Sequence, residues 1–201
     1  MNRDKLEILR KAWHLLFGVA LVSVYQLDVI SKNNILLVLL VSFFVVFSLE
    51  LIRSQVKTVN RICVKLMQPI MRKTEVSGIS GMPFYLLGCF VSIYFFTKNV
   101  AILSILFLAV GDPFASFVGK KLGKFSFKFN SGKSLIGFLA CFAICATITY
   151  YYLRFSQYQH NLLILSLIGG ITGAMAELMS VVDDNLFIPI CSGLVFSLFI
   201  K

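Results

Sequence analysis

This chain predicts an all-α, polytopic membrane protein of about seven transmembrane helices, and three observations carry that expectation. The 201 residues are 58% hydrophobic and only 14% charged, with a mean hydropathy of +0.88, which lies outside the composition of soluble domains. Apolar windows recur at 13–31, 34–52, 83–98, 99–119, 135–153, 161–180 and 186–200. Each is close to the ~20 residues that cross a bilayer as a helix, although the third and last are short. If these spans alternate, the basic residues collect on one side. Four lie in the N-terminal tail (Arg3, Lys5, Arg10, Lys11), six in the second connection (Arg53, Lys57, Arg61, Lys65, Arg72, Lys73) and five between 119 and 134. Only Lys32, Lys98, Arg154 and Lys201 fall opposite. The positive-inside rule then assigns the rich side, and the N-terminus, to the cytoplasm. The net charge of +10 reads as topology and attraction to anionic lipid rather than to nucleic acid. Nearly everything outside the spans is loop, so residues 1–201 form a single integral-membrane domain with no room for a soluble catalytic module.

The charged start runs directly into the first span without a small-residue cleavage site, which argues against a signal peptide. Arg10, Lys11 and His14 are spaced to meet on one face of that helix at the membrane entrance. Asp28 reads as the exposed end of the span. The second span ends with Glu50 and Arg53, three apart and able to pair. Arg53, Lys57, Arg61 and Lys65 then recur every four residues against Val56, Val59, Ile62, Val64 and Leu66. That pattern predicts a basic amphipathic helix on the cytoplasmic membrane surface, ended by Gln68-Pro69. Glu75 stands near the glycines that lead into the third span.

The fourth span holds the most informative residue. Val100–Val110 is apolar but for Ser104, and it runs into Gly111-Asp112-Pro113. A carboxylate there is expensive and marks a functional site by default. A residue before proline avoids helical geometry, so Asp112 is expected to break its helix and to cap a restarted one at Pro113. Gly111, Ala115, Gly119 and Gly123 follow at four-residue spacing, a stripe that admits either a neighbouring helix or a phosphate chain. Five lysines stand close by: Lys120, Lys121, Lys124, Lys128 and Lys133. An acid beside a lysine-lined loop suits a nucleotide handled with a metal ion. Gly132-Lys133-Ser134 is not a Walker loop, since that motif needs glycine where Phe127 stands and a strand before it. Lys133 and Ser134 at a helix N-terminus still offer charge, a hydroxyl and free N–H groups to phosphate.

In the sixth span Gly169, Gly173 and Glu177 share a face, with Asp184 two turns on. Asp183-Asp184-Asn185 is expected to form a tight cytoplasmic turn before Pro189, and its acids with Glu177 resemble a hard-cation site. Five cysteines (Cys63, Cys89, Cys141, Cys145, Cys191) form no CxxC pair and read as packing residues. With only His14 and His160 available, zinc is not expected.

Taken together these segments resemble the CTP-dependent lipid kinase family, which includes dolichol kinase, phytol kinase and the fungal CTP-dependent diacylglycerol kinase. The resemblance rests on Arg10-Lys11 with His14, Glu50 with Arg53, and Glu75 before Gly81. Its strongest part is Gly111-Asp112-Pro113-Phe114-Ala115-Ser116 with Gly119, Gly123 and Lys133-Ser134-Leu135-Ile136-Gly137. Glu177 and Asp183-Asp184-Asn185-Leu186 complete it. It implies phosphoryl transfer from CTP to the hydroxyl of a membrane lipid alcohol at the cytoplasmic face. Asp112, Asp183 and Asp184 would then hold Mg²⁺. Gly119, Lys120, Lys121, Gly123, Lys124, Lys133 and Ser134 would bind the nucleotide. Asp112, Lys133, Glu177 and Asp184 would carry the chemistry, one of the acids also serving as base. Arg10, Lys11, His14, Glu50, Arg53 and Glu75 would face the lipid headgroup.

Two rivals are weighed. A cytidylyltransferase also uses CTP and a membrane lipid, but its basic- and Asp-rich signature before the C-terminus is absent. A small ion-coupled transporter explains buried acids and glycines, though not five lysines on one side of Asp112. The host membrane is expected to be the cell membrane in a bacterium and an endoplasmic-reticulum-type membrane in a eukaryote.

Overall fold

The structure is a computed structural model that describes residues 3–67, 71, 73–76, 78–123, 126–129, 131–158, 161–180 and 183–200. Among these residues it is helical throughout, apart from one isolated antiparallel bridge between Lys128 and Ser134. The helices are α1 (Arg3–Gln26), α2 (Lys32–Gln55), α3 (Lys57–Met67), α4 (Gly81–Phe95), α5 (Lys98–Leu106), α6 (Asp112–Leu122), α7 (Leu135–Phe155), α8 (Leu162–Leu178) and α9 (Asp184–Phe196), with a 3₁₀ turn at Lys73–Val76. Each of the seven apolar windows falls on a helix. Four helical stretches are long and apolar enough to cross a membrane: Glu7–Gln26, Lys32–Gln55, Lys98–Leu122 and Leu135–Phe155. The other three, α4, α8 and α9, are shorter apolar helices.

The third of the four stretches is the mast of the bundle. Within its most apolar window 61% is buried, against 17–22% in the other three. Val100, Ala101, Ile102, Leu103, Ile105 and Leu108 are wholly enclosed by α1, α4, α7 and α9. Outside this core, large side chains such as Leu16, Leu37, Phe44, Leu163 and Phe155 are exposed, the surface a bilayer covers. Several hydroxyls inside the helices bond back to their own backbone, as Thr149 Oγ1 does to the Cys145 carbonyl at 2.8 Å and Ser192 Oγ to that of Ile188 at 2.6 Å, which satisfies them without water.

The expected break at Asp112 is replaced by a π turn. Phe107–Gly111 is π-helical, and Asp112 keeps helical angles (φ −61°, ψ −50°) while its N–H bonds to the Phe107 carbonyl. Pro113 has no N–H to give, and a widened turn just before it accommodates the ring without stopping the helix. Asp112 is thus a helical residue and not a cap. At α9 the expected turn is also helix: Asp183 is the cap, Asp184 and Asn185 open the helix, and Pro189 lies inside it.

Helix α3 buries none of its side chains, in keeping with an amphipathic surface element. Arg53 does not belong to its basic stripe. It ends α2, separated from α3 by the extended residue Val56 (φ −107°, ψ 103°). Its guanidinium is 4% exposed and pairs with Glu50 (5% exposed) at 2.6 Å. It also donates to the carbonyls of Glu75 at 2.9 Å and Gly78 at 2.6 Å. Glu50 in turn accepts from the Ser80 N–H at 2.9 Å and hydroxyl at 2.8 Å. This clamp fixes the chain as it enters α4. At the opposite end, Lys98 binds Asp28 at 2.8 Å, and Tyr152 bridges Asn99 and Gln26; Asp28 is exposed, yet paired. The predicted ends of the surface helix at Gln68-Pro69, together with Arg72 and His160, lie outside the described residues.

Removing one partner of a buried, hydrogen-bonded pair leaves the other charge uncompensated, at about 3–5 kcal/mol. Glu50→Ala is therefore expected to lower unfolding stability in detergent by that amount. A loss under about 1 kcal/mol, the range of exposed pairs, would show that the clamp is dispensable.

Candidate active site

Two cavities meet at the first turn of α9. The first, about 400 Å³, lies between α6, the 123–134 loop, the start of α7, the end of α8 and the start of α9. Asp112, Gly119, Lys120, Gly123, Lys128, Lys133, Ser134, Glu177 and Asp184 all line it, so the structure gathers residues that the chain scatters over more than seventy positions. Lys133 is its centre. Its ammonium lies 3.0 Å from Glu177 Oε1 and 3.1 Å from Asp184 Oδ1, and it also donates to the Glu177 backbone carbonyl. Partial burial alone would depress the pKa of this lysine, but the two carboxylates outweigh burial and hold it above the usual lysine value.

The loop before α7 is folded rather than open. The Phe129 N–H bonds to the Lys133 carbonyl at 2.9 Å, Leu135 N–H to the Phe127 carbonyl at 2.9 Å, and Gly132 takes the left-handed φ of 78° that closes the turn. Ser134 caps α7, its Oγ accepting from the Gly137 N–H at 3.1 Å. The N–H groups of Leu135 and Gly137 are therefore already used, which leaves less of this helix end for phosphate than the sequence suggests.

The glycine stripe seats α6 on α7. A Cβ on Gly111 would lie 2.8 Å from Cys145 Sγ, and one on Gly123 would lie 2.6 Å from Ser134 Oγ. Gly119 and Gly123 nonetheless form part of the cavity wall, so packing and lining share the same positions. Of the other lysines, Lys120 is ion-paired with Glu7, which also binds Lys11 at 3.3 Å. Lys121 rests its ammonium 4.3 Å above the Phe117 ring, away from the cavity. Lys124 lies outside the described residues. Among the described residues no three His, Cys, Asp or Glu side chains converge as a metal cluster. Asp183, expected as a metal ligand, instead caps α9 by accepting from the Asn185 N–H at 2.9 Å.

The second cavity, about 440 Å³, runs between α1, α2 and α4 and is walled by Trp13, Phe17, Leu21, Val24, Ile35, Leu39, Val46 and Leu86. From Arg10 to Val24 it follows α1 for about 21 Å at the helical rise. Its polar lining includes Arg10, His14, Ser42, Glu75, Ser80, Tyr85 and Asn185. His14 Nε2 lies 2.7 Å from Asn185 Oδ1, Asn185 Nδ2 donates to the Gly81 carbonyl at 2.9 Å, and the Gly81 N–H donates to Glu75 Oε1 at 3.0 Å. Tyr85 donates its hydroxyl to the His14 carbonyl at 3.1 Å. Of the expected headgroup set, Arg10, His14 and Glu75 line this cavity. Glu50 and Arg53 stand behind it as the clamp, and Lys11 turns to Glu7 and the lysine side, so the predicted common face of Arg10, Lys11 and His14 is divided.

The two cavities share the first turn of α9, where Asp184 lines the first and its neighbour Asn185 the second. Asn185 is 1% exposed; the sequence groups its amide with the acids of a cation site, whereas the structure places it on the apolar cavity. Ser80 and Tyr85 were missed as site residues, since a serine or tyrosine in an apolar helix carries no signal of what it faces.

No protein-family model and no solved structure matches this chain. Among curated proteins it is 30% identical over 217 aligned residues to the CTP-dependent diacylglycerol kinase 1 of Saccharomyces cerevisiae, covering 98% of this chain and 74% of that protein. It is 32% identical to the CTP-dependent diacylglycerol kinase 1 of Schizosaccharomyces pombe, covering 94% and 91%. It is also 34% identical to a probable chloroplastic phytol kinase 2 of Oryza sativa subsp. japonica, over 53% of this chain and 38% of that protein. An apolar cavity, a lysine-lined cavity beside it and relatives of this extent and kind agree: the chain belongs to the CTP-dependent lipid kinase family.

Proposed function

We propose that this protein transfers the γ-phosphoryl group of CTP to the hydroxyl of a lipid alcohol of the diacylglycerol type, at the cytoplasmic face of its membrane. The observation that carries the reading is the meeting of the two cavities at Asp184 and Asn185. The long apolar cavity suits a lipid tail with its hydroxyl at the polar end. The lysine-lined cavity suits a triphosphate. The alcohol oxygen bonds to the γ-phosphorus, the bond from that phosphorus to the β-bridging oxygen breaks, and CDP leaves with the electron pair.

The protein's part in such a transfer is positioning and charge neutralisation. Lys133, cationic and central, pairs with phosphate oxygens, with Lys120 and Lys128 at the rim. Mg²⁺ usually takes one or two protein carboxylates and fills its shell with phosphate oxygens and water. Asp112, Glu177 and Asp184, three carboxylates on one cavity, fit that requirement, with Asp112 the principal ligand. When bound, the ion neutralises phosphate charge. Seven spans, with α4, α8 and α9 as short crossings of about 20–26 Å at the helical rise, put the lysine side in the cytoplasm. The same end gathers Glu7, Lys11, Lys120 and Lys133, while Asp28 and Lys98 pair at the other.

Incubated with γ-labelled CTP, Mg²⁺ and diacylglycerol, the purified protein is expected to yield labelled lipid and CDP, and Asp112→Asn to cut the rate by about 10²–10³-fold while leaving a folded protein. Release of pyrophosphate would instead indicate cytidylyl transfer, and retained activity in Asp112→Asn would remove this residue as the metal ligand. Lys133→Ala is expected to lower kcat/KM for CTP by about 10²-fold, and Lys65→Ala on the surface helix to leave it nearly unchanged; equal small losses would reduce the basic loops to topology. Cysteines introduced by Lys128→Cys and Arg154→Cys, in a background without the native thiols, are expected to be labelled from opposite sides of the membrane. Labelling from one side would discard the seven-span arrangement.

A further inference from the structure

We infer that α3 binds anionic phospholipid headgroups, and that this contact holds in place one wall of the cavity the acceptor enters. The lipid contact stands on the helix itself; its effect on the reaction rests on the phosphoryl-transfer reading above. At 3.6 residues per turn α3 has three faces. Lys57, Arg61 and Lys65 fall within about 80° of one another and form the first. Ile62 and Leu66 lie beside them and form the second. All five side chains are exposed, Leu66 by 75%. The third face, Asn60, Cys63 and Met67, is half-buried. No Asp or Glu occurs in the helix, and among the described residues no carboxylate pairs with its three cations. The two exposed faces together select the ligand. A lipid surface meets the cations with anionic headgroups and takes Ile62 and Leu66 into the acyl boundary. A free nucleotide or phosphate would use the cations alone and leave both apolar side chains in water.

The third face ties this helix to the apolar cavity. Met67 and, beyond the helix, Met71 line that cavity together with Arg10, Glu75 and Ser80. Asn60 Oδ1 accepts from Arg53 Nη1 at 3.0 Å, and its Nδ2 donates to the Val76 carbonyl at 3.1 Å. One side chain thus links α3 to the Glu50–Arg53 clamp and to the 3₁₀ turn that leads toward α4. With no buried side chain and α2 as its chief packing partner, α3 is held weakly by the protein alone. Seated on an anionic surface, it keeps Met67 against the cavity; lifted away, it opens the polar end of the cavity to water. Each basic residue favours an anionic surface about fivefold, so the three raise the seated population by up to about 10²-fold. The apparent affinity for the acceptor follows that population.

The test uses the full-length protein in nanodiscs of phosphatidylcholine alone or mixed with phosphatidylserine. An environment-sensitive dye is placed on the cysteine introduced by Leu66→Cys, in a background without the native thiols. Its emission is expected to move to shorter wavelength in the mixed membrane and to return as salt is raised. In a variant combining Lys57→Gln, Arg61→Gln and Lys65→Gln the shift is expected to vanish, with the melting temperature unchanged. With γ-labelled CTP and Mg²⁺, the apparent KM for diacylglycerol is expected to be about tenfold lower in the mixed membrane. At saturating diacylglycerol, kcat/KM for CTP is expected to be the same in both membranes. A dye that reads the two membranes alike, or that responds in the triple variant as in its parent, would overturn the headgroup site. A dye response with an unchanged KM for diacylglycerol would overturn the link to the cavity. If no lipid is labelled in either membrane the kinase reading fails, and the dye still decides what α3 binds. Should the triple variant fail to fold, the salt reversal in its parent decides.

Discussion

Much of this structure depends on how one buried amide is satisfied. Asn185 is almost wholly enclosed, at the start of a helix in an apolar bundle, where an unmatched amide costs several kcal/mol. Its oxygen is met by His14 from α1 and its nitrogen by the Gly81 carbonyl from α4. Neither contact permits slippage. Gly81 must lack a side chain, because a Cβ there would collide with the Asn185 amide nitrogen, and Gly88 lets α4 approach the Asn185 carbonyl two turns on. Three helices that enter the bundle far apart in sequence are thus tied at one level. The polar end of the apolar cavity is fixed beside the carboxylate end of the other.

Charge inside the bundle follows the same rule of mutual satisfaction. Glu177 is 6% exposed, and a lone carboxylate at that depth would sooner be neutral than ionised. Lys133 resolves this by standing between Glu177 and Asp184, bringing the 123–134 loop down onto α8 and α9. Glu50 and Arg53 solve the same problem on the lipid side, with the backbone carbonyls of Glu75 and Gly78 completing the guanidinium's donors. The two ion clusters differ in exposure. The clamp is nearly sealed, whereas Lys133 is 26% exposed and Asp184 24%. A sealed pair suits a fixed hinge for the chain; a partly wet one can exchange partners with an arriving phosphate.

The helices were legible because hydropathy reads directly as a window, and all seven windows are helices. What escaped was orientation. The spacing of Arg10, Lys11 and His14 puts them near one another on α1, yet Lys11 pairs with Glu7, which Lys120 also binds from α6, while Arg10 and His14 face the apolar cavity. Periodicity cannot see a partner more than a hundred residues away. Arg53 continued a basic stripe in the sequence but was claimed by Glu50. The pre-proline rule misjudged Asp112 because it concerns local sterics, and tight packing around Phe107–Gly111 favours a widened turn over a break. That Asp112, Glu177 and Asp184 belong together was legible for the opposite reason: a charge retained inside an apolar helix needs partners, and the three line one cavity.

A kinase of this size is feasible because of what the bilayer itself supplies. Phosphoryl transfer asks for aligned groups and neutralised charge, with little covalent chemistry, and both requirements are easier in surroundings that exclude water. Soluble kinases create such surroundings with lobes and lids. On the reading proposed above, the lipid side of the site is already dry, and the acceptor would come through the apolar cavity along α1 and α2. Only the nucleotide would come from water, toward a cavity lined by Lys120 and Lys128, where attraction acts across about a Debye length of 8 Å at physiological salt. The remaining demand is to keep the two substrates apart until both are seated. On the same reading the first turn of α9 would do so, since Asp184 lines the lysine-lined cavity and Asn185 the apolar one.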